Sequence, residues 1–337
     1  MNKGRTGFVN LGNSCYLNAV TQMLLHAPPF IDYFLKGDYQ DDLRSHDPKV
    51  KINVQLIRKM VLLIREYWRE NIVIRPESYR TLVGQLDRRF ANYNQQDAHE
   101  VMVTLLDGIH NGVCYEGEVV PVEGEPKTMI DHMMVESHKV WTDFYRSNYS
   151  KIVQLFYGQF VSALQCTQNE CKKRSFRYEP FSDWQLQIPQ DSGKTLYDCM
   201  NLFCKKEQLD EEDGWKCGHC QQKNRAYKQI RIWRCPQLFI IVLKRFMNDG
   251  RKNTNYIDIP IQLDLTPYAF HLDDPKPKHY QIRSIVHHSG TQFGGHYWTT
   301  VYENLQWYKF NDESVTICSD ELGKQGSTAY ILCYERL

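Results

Sequence analysis

The chain has 337 residues, 42% of them hydrophobic, with 41 Lys and Arg against 40 Asp and Glu, leaving a formal charge of +1. That balance gives no basic face for nucleic acid or an anionic membrane, and no apolar run approaches the ~18 residues of a membrane span. The eleven cysteines, odd in number and not spaced as a disulfide scaffold, fit a reducing compartment, the cytoplasm or alternatively the nucleus.

The first thirty residues are too polar for a secretory signal. Leu17, Val20 and Leu24 recur at helical spacing, so a helix is expected to begin near Asn13 or Ser14, both good N-cap residues. Gly12 permits a positive-φ turn just before it. Cys15 then falls in the first turn, where the positive end of the helix dipole favours a thiolate. Asn10 has a side-chain amide that can reach back over the sulfur and donate to an oxyanion. The segment alone reads equally well as a small buried hydrophobe beside a turn asparagine.

Val54, Ile57, Val61, Ile64 and Trp68 form the apolar stripe of a core-facing helix, and a further helix is expected after Pro76. Asp97 and Glu100 frame a capping box ahead of Val101, Leu105 and Ile109. Residues 115–126, rich in Glu, Gly and Pro, read as an exposed loop or a partner-contacting insertion. From about Phe156 the pattern turns to strands.

Two cysteine pairs follow, Cys166 with Cys171 and Cys217 with Cys220. Paired thiolates at this spacing suit a closed tetrahedral zinc that ties two hairpin tips together, a structural and not a catalytic ion. His219 is an alternative ligand, though its place inside the second knuckle reads as a spacer. Four reduced cysteines without metal are the other reading. The acidic run 210–213 reads as a solvated loop or a contact for a basic partner. Leu238–Leu243 is expected to be a buried strand, and Tyr280–Val286 a half-exposed one.

His296 follows Gly294-Gly295 and opens the strand Tyr297–Tyr302. The glycines around Gln292-Phe293 suggest a mobile lid. A second strand, Gln306–Phe310, ends at Asn311-Asp312. Antiparallel pairing would bring Asn311 to His296, where a carboxamide can fix the imidazole tautomer and leave the other nitrogen for Cys15. As a dipeptide, Asn311-Asp312 is also a good turn.

The segment around Cys15 resembles the Cys box of the ubiquitin-specific proteases, the papain-like deubiquitinases. Gln95–Glu100 resembles a second signature of that family. Tyr280–Tyr297 with Trp307–Asn311 resembles its His box, and Ala329–Tyr334 its closing strand. The likeness runs from about Thr6 to Leu337. It implies an α+β, papain-like cysteine protease fold in one catalytic domain, with a helical thumb (about 1–155), mainly zinc-binding β fingers (about 156–235) and mainly a β-sheet palm (about 236–337).

The resemblance implies Cys15 as nucleophile, His296 as general base and acid, and Asn311 as the orienting residue. It implies Asn10 as oxyanion donor with the Cys15 backbone N–H, and Asp312 as its acidic support. Asp97 and Tyr297 match positions that grip the substrate's extended tail. Cys166, Cys171, Cys217 and Cys220 match the zinc ligands, although the family's usual first pair is Cys-x-x-Cys and this one is wider. The implied partners are ubiquitin and ubiquitinated proteins, with another ubiquitin-like modifier as the rival substrate and a non-catalytic ubiquitin-binding scaffold as the third reading.

Overall fold

The computed structural model describes residues 3–337 except 118–123, 147, 169, 192–193, 210–214, 224, 248, 271–277 and 292–293. The acidic run 210–213 and the lid residues Gln292 and Phe293 therefore lie outside the described residues, as does part of the loop expected at 115–126. At the start of that loop, Tyr115 is bridged to Tyr149.

Helices dominate the first half: α1 (Cys15–Leu25), α2 (Pro28–Leu35), α3 (Tyr39–Asp42), α4 (Lys51–Arg69), α5 (Glu77–Leu86), α6 (Ala98–Val113), α7 (Met129–Tyr145) and α8 (Lys151–Phe156). The stripe expected on α4 buries Val54, Ile57, Val61 and Ile64, with Trp68 packed at its margin. Pro76 takes the cap position of α5. All eleven residues of α1 are buried, because it lies between the other helices and the main sheet, against α6 and a strand of that sheet.

Two short strands, β1 (Gly7–Phe8) and β2 (Val73–Ile74), pair in parallel beside α1. The strand-rich part continues with β3 (Gly158–Cys166), β4 (Arg174–Phe181), β5 (Trp184–Gln187), β6 (Lys194–Thr195), β7 (Glu207–Leu209), β8 (Ala226–Arg234) and β9 (Leu238–Lys244). Helix α9 (Leu196–Phe203) interrupts it. There follow β10 (Ile257–Asp258), β11 (Gln262–Asp264), β12 (His279–Thr291), β13 (Gly294–Glu303), β14 (Gln306–Asn311), β15 (Ser314–Cys318), α10 (Asp320–Gly323) and β16 (Ala329–Arg336). The main sheet runs β15-β14-β13-β12-β16-β9-β5, with β11 also on β12, and a separate sheet runs β4-β3-β8-β7.

The main sheet is covered on both faces, so its central strands read as continuous apolar runs. On β9, Leu238, Ile240 and Val242 join the helical core, while Phe239, Ile241 and Leu243 join a second core with α9. The half-exposed pattern expected over Tyr280–Val286 holds only to Arg283. From Ser284 to His288 every residue of β12 is buried, because β16 and β13 flank it there and both faces are packed. Among the described residues no helix is long and apolar enough to cross a membrane.

Candidate active site

Asn10 shapes the entry to α1. Its Oδ1 accepts from the backbone N–H groups of Gly12 and Ser14, both at 3.1 Å. Gly12 takes the positive φ anticipated for it, +84°, and Asn13 follows at +50°. The helix starts at Cys15, as expected, but neither Asn13 nor Ser14 caps it with a side chain. The Ser14 hydroxyl is turned back to accept from the Leu11 N–H at 2.8 Å. Cys15 is the first helical residue, only 2% exposed, on a helix that cannot move without disturbing the core.

His296 arrives from the opposite wall on β13. That strand pairs with β14 in a register that sets Thr299 against Phe310. Asn311 is the next residue out and lies diagonally from His296 on the same face. The Asn311 Oδ1 accepts from His296 Nε2–H at 2.5 Å. A carbonyl oxygen only accepts, so Nε2 carries the proton and Nδ1 is left for the sulfur. The hydrogen bond with Cys15 is the largest influence raising the His296 pKa to about 9; Asn311 and the charges of Cys15 and Asp312 add to it against the opposing effect of burial.

Asp312 falls in the turn expected of its segment. It begins the two-residue turn between β14 and β15, in the left-handed region at φ +50°. Its carboxylate accepts from Asn10 Nδ2 and from Asn18 Nδ2, each at 2.8 Å, and its backbone oxygen accepts from Phe8 N–H. One residue of the sheet thus holds the strand before Cys15 and the helix after it. Asn10 spends one amide hydrogen on Asp312 and keeps another.

Asp97 caps α6, its Oδ1 accepting from the N–H groups of His99 (2.7 Å) and Glu100 (3.1 Å). The reciprocal half of the expected capping box is not formed. Glu100 is drawn away to Arg89, 2.9 Å distant. The Asp97 carboxylate also accepts from the Tyr330 hydroxyl, at 2.8 and 3.0 Å. Asp97 and Tyr297 line one cavity of about 310 Å³ together with Gln95, Gln96, Phe246 and the Gly294-Gly295 pair. It sits beside His296, bounded by α6 on one wall and the Gly-rich hairpin on the other.

The four expected cysteine sulfurs all lie within 4.8 Å of one another. Cys166 and Cys220 are 4.0 Å apart, Cys171 and Cys217 3.8 Å. Four sulfurs bound to zinc at ~2.3 Å in a tetrahedron would be spaced by about 3.8 Å, so the wider first knuckle closes well enough to fit a metal ion. Cys166 ends β3, and the second pair lies on the loop before β8, so the site joins two tips of the smaller sheet. His219 is exposed and not among the cluster. Cys199 and Cys204 are buried in the second core.

Two partners of the site were not read from the sequence, Asn18 and Tyr330. The signal for Asn18 was available in retrospect. A helix buried on every side still contains Asn18, Thr21 and Gln22, and each buried amide or hydroxyl must find a partner. Tyr330 gave no such sign, since an aromatic residue in a closing strand reads as core.

A sulfur at a helix start, facing an imidazole and amide on a sheet across a cleft, is the arrangement of the papain-like cysteine proteases. Residues 6–334 match the family model described as ubiquitin carboxyl-terminal hydrolase, and the chain belongs to that family. It is 33% identical over 348 residues to ubiquitin carboxyl-terminal hydrolase 2 of Rattus norvegicus, covering 99% of this chain and 54% of the relative. It is 30% identical over 364 residues to ubiquitin carboxyl-terminal hydrolase 4 of Saccharomyces cerevisiae (strain RM11-1a), covering 98% of this chain and 39% of the relative. The chain thus spans about half or less of the length of these relatives. Among solved structures it is similar to the SAGA DUB module of Ubp8, Sgf11, Sus1 and Sgf73 bound to monoubiquitin, with a TM-score of 0.76 at 26% identity over 99% of this chain and 70% of that one. The same module bound to ubiquitin aldehyde gives 0.76 at 25% identity, again over 99% and 70%.

Proposed function

We propose that this chain is a thiol-dependent deubiquitinase that cleaves the bond after the C-terminal glycine of ubiquitin, acting in the cytoplasm or nucleus. The observation that carries the reading is the line from Cys15 through His296 to the Asn311 oxygen, 2.5 Å from the imidazole. A histidine held as imidazolium beside a sulfur supplies both a thiolate nucleophile and the proton its leaving group needs. The Cys15 thiolate attacks the glycine carbonyl, and the oxyanion is held by the Cys15 backbone N–H and the remaining Asn10 amide hydrogen. His296 then protonates the departing lysine amine, leaving a thioester. Water, deprotonated by His296, releases ubiquitin. Asp97 and Tyr297 would hold the extended tail in the cavity they line. Cys166, Cys171, Cys217 and Cys220 would hold a structural zinc that stiffens the fingers and takes no part in the chemistry.

The test is hydrolysis of ubiquitin bearing a C-terminal fluorogenic amide, by the intact chain and by Cys15→Ala. Release by the first alone is expected. No release by either, with zinc present and thiols reduced, sinks the reading, and cleavage of another modifier's amide instead would redirect it.

A further inference from the structure

The cavity lined by Asp97 and Tyr297 has one wall built from two separate hairpins. One is formed by the paired ends of β12 and β13, which present Gly294 and Gly295. The other joins β9 to β10 and presents Phe246, with Phe246 bridged to Lys252 across it. Its base is fixed by Arg245, a fully buried guanidinium that donates to the carbonyls of Asn253, Asn255, Gly326 and Ala329.

The Gly-rich hairpin lacks such support on one side. Strand β16 begins only at Ala329, so β12 runs past it toward the turn. The His288 N–H finds the Thr328 carbonyl at 2.8 Å. In a strand the N–H and C=O of one residue point to the same side, so the His288 carbonyl also faces the place where the ladder has ended. A buried carbonyl left there would be costly. It accepts instead from Lys252 Nζ at 2.6 Å.

The His288 ring makes the position matter. It is 3% exposed, and its ring centroid lies 4.4 Å from that of Tyr297 and 5.2 Å from that of Phe246. A Cβ on Gly295 would come within 2.3 Å of its Nε2. The ring is therefore a wedge under the glycine that precedes His296, and any drift of the His288 backbone is passed to the cavity wall.

We infer that Lys252 is a positioning residue that pins the two hairpins together and so sets the width of the channel that receives the substrate tail. Partial burial and the Arg245 cation push its ammonium down to about 8. The inference rests on the deubiquitinase reading for its kinetic consequence, though not for its structural one.

The experiment compares Lys252→Met, which keeps the length of the side chain but not its donor, with Lys252→Arg, which restores a donor. Hydrogen exchange of the backbone amides, KM and kcat on ubiquitin with a fluorogenic amide, and the rate of Cys15 alkylation by iodoacetamide are measured on each. In the Met variant, exchange over residues 284–291 and 294–296 rises about tenfold and KM rises about tenfold, on the scale of one lost charge-assisted bond. There kcat and the alkylation rate stay within about twofold, and Lys252→Arg returns both altered values toward the original. Unchanged exchange in Lys252→Met overturns the inference, whether or not ubiquitin is cleaved. Faster exchange with equal losses in the Arg variant also overturns it, since packing and not the bond would then be at fault. Should Lys252→Met fail to fold, Lys252→Gln with the same readouts replaces it. Absence of ubiquitin cleavage by the unaltered chain counts against the deubiquitinase reading alone.

Discussion

His296 carries two hydrogen-bond partners of different kinds, the sulfur of Cys15 and the amide oxygen of Asn311. Because folding raises this histidine from its ordinary value of 6.5 to about 9, the stability it contributes is complete below about pH 6.5 and is lost as pH rises through about 9. On the proposed deubiquitinase reading, activity is expected to share that alkaline limit, since the leaving amine would need the imidazolium proton. Replacing Asn311 with Ala removes one of the raising hydrogen bonds but keeps the larger one from Cys15. We expect kcat/KM to fall roughly a hundredfold from lost ring orientation, and the alkaline limb to move below 9. A pH–rate profile of Asn311→Ala measures both. A limb that stays in place would mean that Asn311 does not act through the imidazole.

At the scale of elements, the contact between α6 and β16 connects the two halves of the cleft. Tyr330 donates to both oxygens of the carboxylate that caps α6, and desolvation keeps that hydroxyl protonated. Deleting it in Tyr330→Phe leaves the cap bonds of Asp97 in place while freeing the carboxylate from the sheet. A hydrogen bond to a charged acceptor is worth ~1.5–3 kcal/mol. Urea denaturation is expected to show a loss of about 2 kcal/mol with the m-value unchanged. A loss under ~0.5 kcal/mol would show the pairing to be incidental.

Across the whole molecule, two large cores pack on the faces of the main sheet, and the separate smaller sheet contributes to a third, small cluster of Met133, Val161 and Tyr178. Among the described residues the four cysteines at the tips of that sheet belong to none of these cores, and their sulfurs come together there. Metal analysis is expected to find one zinc per chain. Removing it with a chelator, or substituting Cys171→Ser, should lower the thermal midpoint and weaken ubiquitin binding while leaving the alkylation rate of Cys15 unchanged. Equal midpoints with and without chelator would refute a structural role for the metal.

Local chemistry already written in the chain determined much of this protein. The start of α1 at Cys15, the apolar face of α4, the strand carrying His296 and the pairing of the cysteines were legible, because periodicity, glycine and ligand spacing act over a few residues. The turn at Asp312 was legible for the same reason. Tertiary structure decided which of several valid partners each polar group took. Ser14 could have capped α1 and Glu100 could have closed its box, yet Leu11 and Arg89 claimed them. Asn18, Tyr330 and Lys252 gained their roles only when β14, α6 and β12 arrived beside them from far along the chain. Such choices depend on distances between elements that no local pattern encodes, and burial then makes them binding, since a polar group left unpaired inside the core costs more than the pairing it forgoes.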